Sequence, residues 1–359
     1  MVTPANERTV AMNEPHLKNS IDRAAFYKEL DTLNLAPLWE VLKGLVPTDP
    51  RPFAVPFQWS WTTVRPHLLA AGAAISAEEA ERRVLVLENP GLRGKSQITD
   101  TLYAGLQLIL PGEIAPAHRH TQSALRFVLE GEGGFTAVSG ERTTMHRGDL
   151  ILTPYWTWHD HGHDGVGPVI WMDGLDVPLV GFLKTGFREE HADTAQTSSR
   201  PEGYSEARFG SGLLPVGHVP GSLTSPVFNY PYSRTREALH KLSQNDEADP
   251  HFGICLRYVN PVNGDWVMPT LGTSMRLLPE GFSTRSYRST DSAVFVLMEG
   301  EAEFTAEGQL PVTMRPNDIF AMPGWSRYSI RASKGDCVLF SFSDRPVHEK
   351  LGLFREDKA

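Results

Sequence analysis

The sequence predicts an all-β architecture: two copies of one β unit joined by a long connector, with short helices at the N-terminal end. Three observations carry this. From about Arg83 onward, short apolar runs end at turn residues, as in VLVLEN (84–89) before Pro90-Gly91 and LYAGLQLIL (102–110) before Pro111-Gly112. Such spacing fits a sandwich or barrel rather than βαβ units. The pattern stops near residue 185 and resumes near 255. The two sets then match each other at a constant separation, which is what a duplicated unit produces.

Taken in order, residues 1–20 read as a loosely attached arm. Residues 22–35 predict a helix, with Phe26, Leu30 and Leu33 on one face, and Pro37 interrupts it. Leu38, Val41, Leu42 and Leu45 predict a second, shorter one. The segment 51–65 contains Pro52 and Pro56 and is followed by Pro66, so it reads as an extended, packed strap. Ser76 with Glu79 three residues on forms a capping box for another short helix.

The first strand set continues with LRFVLEG (125–131), GGFTAVSG (133–140), GDLILTP (148–154) and PVIWMDGLDVP (168–178). The stretch 186–250 is rich in Ser, Pro, Gly and charge and reads as a linker with packed turns, holding one short helix near 233–243. The second set comprises CLRYVNP (255–261), SMRLLPEG (274–281), AVFVLMEGEAEFT (293–305), NDIFAMPGW (317–325) and DCVLFSFSD (336–344). The chain therefore divides into an N-terminal arm and helical region (1–82), a first β domain (83–185), a linker (186–250) and a second β domain (251–359).

The repeat is close. LRFVLEGEGGFTAVSGERTTMHRGDLILTPYW aligns with VFVLMEGEAEFTAEGQLPVTMRPNDIFAMPGW, and Gly131/Gly300, Phe135/Phe304, Pro154/Pro323 and Trp156/Trp325 all lie 169 residues apart. This register provides an internal control. The first copy carries His118 and His120 ahead of one strand and His159 after another, whereas the matching positions in the second are Tyr287, Ser289 and Tyr328. Strand alternation puts residues 118 and 120 on one face. Two His on one strand plus a third from elsewhere make a facial metal cap that leaves coordination positions open. Imidazole suits iron and zinc alike, so ligand type alone leaves both. An isolated His-x-His is a weak signal; the register raises it. One metal is expected, in the first copy only, with the second structural or shaping the pocket.

Further candidates surround this triad. His161 shares parity with His159 and is read as a substrate-contacting group; His163, between Gly162 and Asp164, reads as a loop histidine. Gln107 lies on a strand face with Tyr103 and Gly105, where a plain strand role competes with substrate contact. Arg126, Arg82 and Arg83 are candidates to hold a planar carboxylate by their bidentate forks, with surface ion pairs as the competing reading. Asp173 leaves an apolar strand and could orient a ligand, accept a hydroxyl proton or cap a turn.

Composition bounds the remainder. The 359 residues are 40% hydrophobic, enough for a sizeable core, and the net charge of −9 argues against a nucleic-acid footprint without excluding a small anionic substrate. Two cysteines, Cys255 and Cys337, are no disulfide framework, so a reducing cytoplasmic location is expected. The first twenty residues lack the apolar run of a signal peptide, and no window reaches the 18 or so apolar residues of a membrane span.

At this point the motifs acquire a family look. GEIAPAHRH (112–120), Gly131 and GDLILTPYWTWH (148–159) resemble the two cupin motifs, with Ala124 where the usual first motif has a Glu. That departure resembles the ring-cleaving dioxygenases of the gentisate type. PLWE (37–40), NPGL (89–92), AGLQLILPGEIAPAHRHTQSALRFVLEGEG (104–133), TPYWTWHDHG (153–162), DGLDVP (173–178) and RYVNPVNGDWVMPT (257–270) extend the resemblance over nearly the whole chain.

The resemblance implies an all-β bicupin: two jelly-roll β-barrel cupin domains with short N-terminal helices, assembled as a homotetramer. It implies one Fe(II) per subunit on His118, His120 and His159 in the first cupin, with O2 as co-substrate. The substrate implied is a small aromatic acid with an ortho hydroxyl, cleaved between the carbons bearing these groups; gentisate would give maleylpyruvate. Carboxylate and hydroxyl contacts would fall to Gln107, Arg126, Arg82 and His161, and Asp173 would serve the second hydroxyl of gentisate. The alternatives are a salicylate or 1-hydroxy-2-naphthoate 1,2-dioxygenase, a metal-dependent cupin isomerase or lyase, and a non-catalytic binding bicupin. Ala124 weighs against the second of these and the single intact His triad against the third.

Overall fold

The computed structural model of the chain describes residues 22–358 apart from Pro220; the arm expected over residues 1–20 lies outside them. The chain forms two compact units, one ending at Pro50 and the other spanning Arg51–Ala359. In the first, helices Arg23–Thr32 and Leu38–Leu45 flank Pro37, which sits at the N-cap of the second. Asp22 caps the first by accepting from the Ala24 amide at 3.0 Å. Trp39 Nε1 donates to the Tyr27 hydroxyl at 2.8 Å, and that hydroxyl donates to Glu40 at 2.5 Å, which ties the two helices together.

The larger unit opens with a short strand, Phe57–Trp59, and then helix Trp61–Ala74. An extended strap was expected to run through residue 65; instead its last residues enter this helix, with Pro66 inside it. Pro66 removes one backbone donor, a cost of ~3 kcal/mol in a helix interior. Three contacts offset it. Asp318 Oδ1 accepts from the Trp61 amide at 2.7 Å, Leu68 is fully buried, and Arg65 holds Glu130 through two bonds of 2.5 and 2.6 Å.

Strands dominate the rest of the larger unit, in three sheets of nine, six and five strands. The six-stranded sheet carries Tyr103–Ile109, Ala124–Glu130, Leu150–Thr153 and Val169–Leu175, with Val84–Val86 and Asn229–Tyr230 at its edges. The five-stranded sheet carries Ile114–His120, Gly134–Val138, Glu141–Thr144, His159–His163 and, from the connector, Arg188–Glu190. The nine-stranded sheet gathers most of the second copy, including the long strands Ala293–Ala306 and Tyr328–Ser343, and takes Phe57–Trp59 as an edge strand.

The fold is cupin-like and β-rich, but two expectations are corrected. Among the described residues no sheet closes into a barrel; each runs in an open strand order. Nor is the chain all-β: besides the N-terminal helices and the one expected near 233–243, which forms at Tyr232–Asn245, helices form at Val177–Phe182, Tyr204–Phe209 and Arg345–Lys350. The first and last of these carry Pro178 and Pro346 near their starts, where a missing amide costs little.

The duplication is visible in the backbone. Trp156 and Trp325 both adopt positive φ, at 57° and 62°. The Trp156 amide donates to the His120 carbonyl at 2.7 Å and the Trp325 amide to the Ser289 carbonyl at 2.5 Å, the same bond in each copy. Gly131 and Gly300 are equivalent positive-φ turns where a Cβ would stand 2.3 and 2.5 Å from backbone carbonyl oxygens. The largest of three hydrophobic clusters among the described residues runs through both copies, and within it Phe127 and Phe340 stack with ring centroids 3.9 Å apart at 6°.

Candidate metal centre

The site lies between the five- and six-stranded sheets, and each sheet contributes a different chemistry. Strand Ile114–His120 is irregular: its pairing with His159–His163 shifts between Ala115 and His118, around Pro116, which has no amide to donate. Beyond that shift His118 pairs directly with His159, and His120 follows on the same face. The three ring centroids stand 4.3, 4.8 and 5.3 Å apart, and one nitrogen from each converges within 4.8 Å.

The hydrogen bonds select which nitrogen is offered. His120 Nδ1 lies 2.9 Å from the Gln122 carbonyl, His159 Nδ1 2.9 Å from that of Thr157, and His118 Nδ1 3.2 Å from that of Pro116. A carbonyl only accepts, so the Nδ1 of His120 and of His159 carries the proton and their Nε2 keeps its lone pair for a metal, whereas His118 Nδ1 also meets Arg82 Nη2, which only donates. Burial, reinforced by the positive charge of Arg82 and Arg126, holds His118 down to about 3 and His120 to about 4, and burial with Arg126 keeps His159 well below its ordinary value. All three rings are thus neutral near pH 7, the form that ligates a divalent ion. Ala124 is fully buried in its strand and supplies no carboxylate. A three-imidazole set with open positions fits a borderline ion such as ferrous iron.

His161 is different. Arg126 Nη2 donates to His161 Nε2 at 3.0 Å, so the remaining proton sits on Nδ1, facing Thr136 Oγ1 at 3.0 Å. Both nitrogens are occupied and neither is free for a metal. His163 ends the same strand and is buried: its Nε2 lies 2.6 Å from the Gly167 carbonyl, while the Gly165 amide donates to its Nδ1.

The six-stranded sheet supplies the polar groups that face the triad. Arg126 and Asp173 are direct cross-strand partners with Arg126 Nε 3.6 Å from Asp173 Oδ1, and both are buried. Arg126 also donates to Thr153 Oγ1. Asp173 Oδ1 accepts from Trp171 Nε1 at 2.9 Å; burial raises this carboxyl to about 6 against the opposing pull of Arg126. Gln107 is buried on the neighbouring strand. Gly105 pairs with Asp173, and a Cβ there would stand 2.8 Å from the Tyr103 hydroxyl, so the phenol lies over the bare glycine backbone. Burial, then Asp173, raises the Tyr103 hydroxyl.

The two arginines part company. Arg82 Nη2 donates to the Pro116 carbonyl at 2.6 Å and lies 2.5 Å from His118 Nδ1, at the wall of a cavity of about 250 Å³. Arg83 turns the other way, onto Glu113 and the Ile75 carbonyl. Sequence reasoning missed Thr136, Thr153 and the Trp171 indole. Thr136 alone left a trace, in the Phe-Thr pair repeated as Phe304-Thr305.

Fold and site together define a duplicated cupin-like protein with one three-histidine metal centre. A cupin domain model matches residues 105–177, which contain all three ligands. The chain is 49% identical to gentisate 1,2 dioxygenase 1 of Aquipseudomonas alcaligenes, over 94% of this chain and 96% of that one. It is 35% identical to 5-aminosalicylate 1,2-dioxygenase of Comamonas sp., over 93% and 90%. Among solved structures, salicylate 1,2-dioxygenase from Pseudoaminobacter salicylatoxidans in adducts with gentisate superposes with a TM-score of 0.87 at 35% identity, covering 99% of this chain and 97% of that one. The chain belongs to the bicupin gentisate/salicylate 1,2-dioxygenase family, the iron-dependent ring-cleaving dioxygenases. Among the described residues no helix is long and apolar enough to cross a membrane.

Proposed function

We propose that this chain is a gentisate 1,2-dioxygenase, opening the ring of 2,5-dihydroxybenzoate between its carboxyl-bearing and adjacent hydroxyl-bearing carbons to give maleylpyruvate. Both atoms of O2 enter the product, so the equation balances with no further reductant. The observation that carries this reading is the neutral His118–His120–His159 triad facing a buried Arg126–Asp173 pair. The choice of gentisate draws on the strongly similar relative that bears that activity in its name.

Ferrous iron held by His118, His120 and His159 would supply the redox chemistry toward dioxygen and coordination positions for a hydroxy-acid. The protein's own groups do the rest. Arg126, clamped by Thr153 and His161, presents fixed positive charge to the substrate carboxylate and loses little freedom on binding. Arg82, His161 and Gln107 complete the polar wall. Asp173, raised to about 6, can hold or release a proton at the hydroxyl para to the first, which salicylate lacks. Tyr103 over Gly105 bounds the ring's edge. A homotetramer in the cytoplasm is part of the same reading; free thiols at Cys255 and Cys337 suit a reducing compartment.

The test is anaerobic loading with ferrous iron, then admission of oxygen with gentisate, salicylate, 5-aminosalicylate or 1-hydroxy-2-naphthoate in separate cells. One O2 consumed per gentisate, with a ring-opened product and slow turnover of the others, is expected. Faster turnover of any other substrate overturns gentisate. No uptake by iron-replete protein overturns ring cleavage.

A further inference from the structure

The second copy retains a cavity of about 310 Å³ between its strands. Its position corresponds to that of the metal centre. Tyr287, Ser289 and Tyr328, which stand 169 residues after the three His ligands, all line it. So do Ser274, Arg276 and Phe295, which stand 169 residues after Gly105, Gln107 and Arg126. The second copy has no histidine at these positions, and the corresponding space is open.

We infer that this cavity is a binding site for a small carboxylic acid, held through its carboxylate by Arg276.

The first argument is charge. Arg276 is 5% exposed, and its Nε and Nη1 are buried without a hydrogen-bond acceptor. Among the described residues it has no ion-pair partner, while the other lining arginines are engaged: Arg345 Nε on Glu349 at 2.8 Å and Arg257 Nη2 on the Gly264 carbonyl at 2.9 Å. Tyr328 is the hydrogen-bonding neighbour of Arg276, and a guanidinium withdrawn from water with no anionic partner is costly, a cost that an arriving carboxylate offsets. Its fork geometry matches a carboxylate in particular.

Shape and polarity give the second argument. The Arg276 guanidinium carbon lies 5.1 Å from the Phe295 ring centre and 5.9 Å from that of Phe252, so the cation sits among aromatic faces. Met322, Trp266 and the two phenylalanines offer walls for an apolar body. Hydroxyls ring the remainder: Ser274 and Ser341, which bond each other at 2.8 Å, and Tyr287, which donates to Glu356 at 3.0 Å. Hydroxyls and a guanidinium suit an organic acid and make poor partners for a divalent transition ion. The one lining carboxylate, Asp291, has a buried oxygen without a partner, and burial followed by Asp344 raises it to about 6.

The test does not depend on the substrate of the first copy. Benzoate is titrated calorimetrically into the iron-loaded protein without oxygen, for the wild type, Arg276→Met and Arg276→Lys. Benzoate affinity at the second copy should fall at least tenfold in Arg276→Met and recover to within a few-fold in Arg276→Lys, with gentisate turnover kept within twofold. Unchanged affinity in a turnover-competent Arg276→Met overturns the proposal. Should Arg276→Met lose turnover through misfolding, wild-type crystals soaked with 4-bromobenzoate decide: bromine anomalous signal beside Arg276 upholds the site, and its absence there overturns it.

Discussion

Arg126 Nη2 donates to His161 Nε2 across 3.0 Å and thereby bolts the six-stranded sheet to the five-stranded one at the metal centre. The bond fixes the tautomer of His161 and separates it functionally from His159, two residues away on the same strand.

His161→Ala and His159→Ala should therefore fail differently. His161→Ala keeps iron near one per chain and lowers kcat/KM by roughly 10–100-fold, because Arg126 loses its fixed orientation. His159→Ala loses the iron itself, with turnover near background. Iron content measured alongside oxygen uptake separates the two, and iron loss in both variants would contradict the assignment of His161.

Gly105→Ala inserts a methyl 2.5 Å from Val84 Cγ1 and 2.8 Å from the Tyr103 hydroxyl. The strand is paired on both sides, so the phenol gives way first. We expect KM for the aromatic acid to change by about 5–20-fold with a stability loss of only ~1–2 kcal/mol. Steady-state kinetics and a thermal melt check this; an unchanged KM would remove Tyr103 from the pocket wall.

Asp176 provides the pH-dependent prediction. It accepts from the Ser123 amide at 3.0 Å and from Thr270 at 2.5 Å, yet burial outweighs these bonds and raises it from 3.8 to about 6. The folded state then holds the proton more tightly than the unfolded one. Its contribution to stability is fully present below about pH 4 and is lost as pH rises to about 6, by at most ~3 kcal/mol. Asn copies the protonated acid without titrating. Denaturant unfolding of Asp176→Asn should therefore show it gaining on the wild type between pH 4 and 7; a constant difference would refute the shift.

Phe340→Ala probes the union of the two copies. It removes one face of the Phe127–Phe340 stack inside a core with no exposed side, and a loss of ~3–5 kcal/mol is expected. Because the core is shared, unfolding should remain a single transition in which both copies melt together; two resolved transitions would show them independent.

Legibility in the sequence followed the source of each signal. The apolar strands and the duplication could be read directly, because alternation and a constant offset survive in the letters. The ligand-bearing strands Ile114–His120 and His159–His163 were legible only through the parity of their histidines, and their extents were not, because Pro116 and the histidines replace the apolar residues that would announce them. The helix Trp61–Ala74 was hidden by Pro66. The faces of Arg82 and Arg83 were undecidable because adjacent strand residues point oppositely, and only the Pro116 and Glu113 contacts assign them. Barrel closure was likewise unreadable, since it depends on edge pairings that no local pattern encodes.

The connector holds one last consequence. Its strand Arg188–Glu190 pairs with the ligand strand, setting Arg188 opposite His120 and Glu190 opposite His118; the His191 amide then reaches the Ala117 carbonyl and the Ala117 amide the Thr194 carbonyl. A segment that looks expendable on paper is thus the selvedge of the fabric in which the ligands are woven. Cutting residues 188–194 away would unravel that hem and leave the backbone of the ligand strand without its outer partner.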